Sequence, residues 1–223
     1  MKAGIVSLMR KDWRLYRLPV IACAMLGALG YVVSRITYLI DLRRHYNFPF
    51  LWDYYLARAA WFGVFVTTIM AAAFGGAAFA AERRERWADF LNLLPPHRAV
   101  VALSKLLVAA VSLIVALQLH IAVLWFTGEL RGNNWIGYMV IGCAMIMLFG
   151  TSWMLSTAIS SAAVSASIAI LFTVGAAVIV NSLGTTYGWQ DDGAAIVFAA
   201  VSAITGTVRF VAGTIYYLYR VQP

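Results

Sequence analysis

ERRERWADFLNLLPPHRAVVALSK, residues 82–105, is a dense run of charge set between long apolar stretches. Its first half is patterned as a helix. Trp87, Phe90, Leu91 and Leu94 recur at i, i+3, i+4 and i+7, which places them on one face, while Arg83, Arg86 and Asp89 fall largely elsewhere. Arg86 can pair with Glu82 one turn earlier. Pro95-Pro96 ends the helix, because proline lacks the amide donor and pushes its predecessor out of the helical region. The pattern predicts a short surface helix over residues 82–96 that stops sharply before the chain turns apolar again near Ala99.

The rest of the chain explains why such a helix stands out. Of 223 residues, 63% are hydrophobic and 12% charged, with a mean hydropathy of +0.82. Soluble domains run near 45–50% apolar and about 25% charged. The excess excludes an ordinary soluble domain and predicts an all-α, polytopic membrane protein. Apolar runs at about 18–40, 57–81, 99–126, 135–158, 162–183 and 194–218 give six spans of bilayer length in a single transmembrane domain, residues 1–223. Residues 1–17 read as an amphipathic helix in the membrane interface: Ile5, Leu8, Met9, Trp13 and Tyr16 share a spacing that leaves Lys11, Asp12 and Arg14 on other sides. The aromatic, polar stretch 41–56 reads as an interfacial loop, and 184–193 as another.

The net charge of +8 sets orientation rather than marking a nucleic-acid binder. With six spans, the N-terminus, the 82–105 segment and the C-terminus share a side. That side holds 11 of the 17 Lys and Arg residues; the opposite loops hold four, and Arg35 and Arg209 fall within spans. The excess places both termini and the charged segment in the cytoplasm. Cys23 and Cys143 lie in apolar runs and form neither a disulfide framework nor a metal set.

A few polar groups inside spans are candidates for a translocation path or gate. Arg209 is deep in the last span, where a charge is costly and needs a reason. Gln118 and His120 share the third span, and an interhelical hydrogen bond is the simplest role for the histidine. Arg35, near a span end, can snorkel to the interface. Ala71, Gly75, Gly76 and Ala80 give the second span a small-residue face, suited equally to core packing and to a subunit seam or pore lining.

The charged segment resembles the cytoplasmic coupling region of type-2 ABC transporter permeases. That family often has a Glu ending the second span, a Leu-Pro thirteen residues on, an Arg three residues past the Pro and a Lys ten past it. Glu82, Leu94-Pro95, Arg98 and Lys105 stand at those spacings. Lys11 to Arg14, KDWR, resembles the family's basic elbow helix before the first span. Where the family often has Gly-Thr inside the helix, this chain has Arg86 and Trp87. The resemblance implies an exporter permease in a bacterial cytoplasmic membrane, with an elbow helix, a coupling helix, a second permease copy and a separate ATPase. The chain has no phosphate-binding GxxxxGK[ST] loop, so ATP and magnesium would belong to that partner. Glu82, Arg84, Glu85, Asp89, Phe90, Leu94 and Pro95 are the implied contacts with it. A membrane adaptor that recruits a cytoplasmic partner, or an intramembrane enzyme, are the alternatives, and no catalytic motif supports the latter.

Overall fold

A computed structural model describes residues 2–44, 51–84, 98–129, 135–188 and 191–220. These form six α-helices: α1 (Lys2–Arg44), α2 (Leu51–Arg84), α3 (Arg98–Phe126), α4 (Trp135–Ser156), α5 (Ala162–Tyr187) and α6 (Asp191–Arg220). There is no strand among the described residues. Each helix is long and apolar enough to cross a membrane. The architecture is that of a multi-pass membrane protein, as composition predicts.

Several expected boundaries move outward. Residues 41–56 are mostly helical, with α1 continuing to Arg44 and α2 starting at Leu51. Some polar groups near these helix ends are met by side chains of the helices themselves. The Tyr55 hydroxyl donates to Asp41, and Arg35 lies 5.3 Å from the Tyr38 ring centroid and 4.8 Å from that of Trp52. Likewise α5 runs to Tyr187, where Gly188 caps it with φ +66° and donates its N–H to the Gly184 carbonyl. The predicted Ser160-Ser161 connection holds: Ser161 is the N-cap of α5 and accepts from the Val164 N–H.

The expected N-terminal helix and first span form one uninterrupted helix. α1 has 43 residues and passes through Pro19, so it is about 65 Å long at 1.5 Å per residue. That exceeds the roughly 40–45 Å of a whole bilayer, and the apolar span is Tyr16–Leu42. The preceding turns continue the span on the same axis, so the separate interfacial helix expected over residues 1–17 is not seen among the described residues, and the inward face differs too. Asp12 and Tyr16 are buried, whereas Trp13 is 47% exposed. The buried face is set by what α1 packs on, not by residue polarity alone.

α2 is the centre of the bundle. Of its most apolar stretch, 61% is buried, against 11% for α1. It packs on α1, α3, α4 and α5, while α6 packs chiefly on α4. The small residues of α2 make this possible. Ala71, Gly75, Gly76 and Ala80 are buried within the one chain. A Cβ at Gly75 would lie 2.5 Å from the Phe149 carbonyl of α4, and one at Gly76 would lie 2.6 Å from the Ala162 carbonyl of α5. The small face is core packing rather than a lipid-facing seam. The α4–α6 crossing is equally tight, since a Cβ at Gly150 would sit 2.0 Å from the Gly206 carbonyl.

Candidate functional site

The best-built polar site lies at the foot of the bundle, where the stretch after the charged segment meets the N-terminal helix. Lys105, on the second turn of α3, has its ammonium 3.6 Å from Asp12 Oδ1 of α1, and both side chains are almost wholly buried. The Ser104 hydroxyl donates to Asp12 Oδ2. The Val101 carbonyl is also within reach, 2.9 Å away. A hydroxyl has one proton, and the charged acceptor holds it more strongly. Lys105 also lies 5.8 Å from the ring centroid of Phe79, near the end of α2. The ion pair thus joins α1 to α3 against the wall of α2.

Phe79 carries the connection onward. Its ring stacks on Tyr217 of α6 at 4.1 Å and meets Trp153 of α4 edge-on at 4.8 Å. Trp153 packs against Phe149 and Phe210 and donates its indole N–H to Thr214 at 3.2 Å. Aromatic contacts with a satisfied N–H make a stiff unit. The lower parts of α1, α2, α3, α4 and α6 are therefore tied together at one end, the end from which residues 85–97 leave and to which they return. Hence the N-terminal part of α1 and the C-terminal part of α6 lie at the same end.

Sequence reasoning missed the centre of this site. It sets Asp12 off the apolar face of the N-terminal helix, and it carries Lys105 only as a position in a motif. The signal was present in the spacing: Asp12 and Tyr16 are one helical turn apart, and Tyr16 packs on Phe74 of α2 at 5.2 Å. The predicted contact residues fare differently. Glu82 and Arg84 lie in the last turn of α2. Glu85, Asp89, Phe90, Leu94 and Pro95, and with them most of the expected 82–96 helix, lie outside the described residues.

The three intramembrane candidates do not form one site. His120 is buried where α1, α2 and α3 meet, its Nδ1 hydrogen-bonded to Tyr31 Oη at 3.0 Å with the rings stacked. Gly63 makes room for it, since a Cβ there would lie 2.1 Å from His120 Cε1. This is the interhelical hydrogen bond anticipated for it. A cavity of about 490 Å³ lies between α1 and α3, lined chiefly by apolar side chains, with His120, Tyr31, Ser112, Cys23 and Trp13 as its polar groups. Gln118 faces outward from α3. Arg209 lies on the other side of the bundle, where it donates to Thr151 Oγ1 of α4 at 3.0 Å and stacks 3.8 Å over the Phe172 ring of α5. Among the described residues no group of His, Cys, Asp and Glu is arranged to hold a metal ion. No protein-family model, no curated protein and no solved structure matches the chain.

Proposed function

We propose that the chain is the membrane subunit of an ABC exporter, moving its substrate across a bacterial cytoplasmic membrane with energy from a separate ATPase. The observation that carries this reading is the Asp12–Lys105 contact. The two stretches that carry the family resemblance, KDWR and the run from Glu82 to Lys105, are remote in sequence, and this pair brings them together. In the proposed mechanism the ATPase grips the segment through Glu82, Arg84, Glu85, Asp89, Phe90, Leu94 and Pro95. Movement of that segment acts directly on the ends of α2 and α3. Because α3 holds α1 through Lys105, and Phe79 holds α4 and α6, the displacement passes to the bundle as a body. A second permease copy completes the pathway, and both termini face the ATPase.

The test is twofold. Purification from native membranes should bring down an ATPase, and the reconstituted complex should move substrate only with ATP. Glu82→Lys and Glu85→Lys should leave the complex assembled but break the link between hydrolysis and transport. Unchanged coupling in both variants would remove the assigned contact. A partner bound without ATP-driven transport would instead favour an adaptor.

A further inference from the structure

Arg209 has an environment that the bundle alone does not account for. None of the nine acidic residues lies more than one residue inside a span. Among the described residues no carboxylate therefore reaches the depth of Arg209, and a second copy in the same orientation has the same gap. The depth follows from its partner. Phe172 is ten residues along α5 from Ala162, or roughly 15 Å from that helix end. The hydrocarbon core is about 30 Å thick, so the guanidinium sits near its middle.

The side chain is also held in place. Phe172 covers one face of the guanidinium and Thr151 takes one N–H. Thr151 is itself buried, so this anchor belongs to the core. A guanidinium has five N–H donors in a planar fork, and a neutral hydroxyl uses only one. The site opens on the bilayer side, because Phe172 is 46% exposed and Val208, beside Arg209, is 61% exposed. A fixed, half-buried cation at mid-depth, with donors left over and an apolar approach, suits an oxyanion attached to a hydrocarbon chain. The fork geometry matches phosphate or carboxylate oxygens.

We infer that Arg209, with Thr151 and Phe172, is an intramembrane binding site for the oxyanion headgroup of an anionic lipid-like molecule entering between α5 and α6. This deepens the exporter reading by giving a substrate class, and it rests on that reading only for the direction of movement. Binding by the isolated full-length chain is measured without an ATPase, so failure of the site and failure of the exporter assignment are distinguishable.

The experiment titrates the purified chain, in neutral maltoside detergent, with phosphatidic acid, with phosphatidylcholine of the same acyl chains, and with inorganic phosphate, reading the melting midpoint. The basic foot of the molecule also attracts anionic lipid, so the decisive quantity is the part that depends on Arg209. Phosphatidic acid should raise the midpoint of the wild type. Its apparent Kd should weaken about tenfold or more in Arg209→Gln, the loss of a charge-assisted hydrogen bond, and much less in Arg209→Lys. Thr151→Val should weaken it severalfold by freeing the side chain. Equal titrations of wild type and Arg209→Gln would overturn the proposal. So would an equal response to phosphatidylcholine, which would mean generic lipid, or to inorganic phosphate, which would mean a free anion.

Discussion

Removing either half of the Asp12–Lys105 pair should destabilise the bundle far more than removing both. At 3.6 Å and an effective dielectric near 20, the mutual attraction is about 4–5 kcal/mol before desolvation is counted. Both side chains are almost fully out of contact with solvent, so the attraction largely offsets a desolvation cost of similar size. Lys105→Met leaves Asp12 buried beside the Ser104 hydroxyl, and Asp12→Leu takes away the carboxylate that faces the ammonium. Breaking a buried ion pair by removing one partner costs about 3–5 kcal/mol. Asp12→Leu with Lys105→Met restores an apolar contact, and such replacements are often neutral or stabilising. In a chain of this size the melting midpoint moves about 2–4 °C per kcal/mol. Each single variant should therefore melt roughly 6–20 °C below the wild type in detergent, and the double variant within a few degrees of it. Intrinsic tryptophan fluorescence on heating reads this directly. Single variants that melt like the wild type, or a double variant as low as the sum of the singles, would refute the reasoning.

Other sites give sharp contrasts in the same assay. Gly150→Ala drives a Cβ to 2.0 Å from the Gly206 carbonyl, a backbone atom that cannot step aside, so it should reach or exceed the upper end of the roughly 1–3 kcal/mol seen for overpacking. Gly137→Ala in the same helix meets nothing within 4 Å and should stabilise by about 0.5–1 kcal/mol through helix propensity. Gly63→Ala collides with the His120 ring at 2.1 Å; it should destabilise by about 1–3 kcal/mol and be largely rescued by His120→Ala. Trp153→Ala empties the aromatic cluster at the foot of the bundle and should cost about 3–5 kcal/mol, whereas Trp153→Phe, which keeps a ring but loses the bond to Thr214, should cost clearly less.

Spans were the most legible part of this chain, because a bilayer demands some 20 apolar residues in a row. α3 is read to within one residue, since Pro95-Pro96 and the polar stretch after Phe126 bracket it. Ends rich in both aromatic and charged residues were misread as loops. At those ends rings and hydroxyls take up the charges locally, as Tyr55 does for Asp41, and the helix continues. The small face of α2 announced close packing but not its partner, which depends on how the helices are arranged. His120 was legible as a hydrogen-bonding residue and its partner Tyr31 was not, since they are 89 positions apart. Asp12 was illegible for the same reason. Beside Lys11 it looks like part of a solvated charge run, and only the return of the chain at Lys105 makes it a buried group.

That separation has a consequence for biogenesis. Asp12 enters the world 93 residues before Lys105 (105 − 12), and at about 5–20 residues per second the ribosome needs roughly 5–20 s to supply the partner. During that interval the rest of α1 and all of α2 are made, and the carboxylate does not yet have Lys105 to meet. The unpaired acid at the foot of α1 belongs in water until α3 arrives, which resists docking of the half-built bundle. Closure of the pair then marks the moment when the first three helices become a unit. A chain that stops short of Lys105 has no such moment, and its Asp12 stays without this partner.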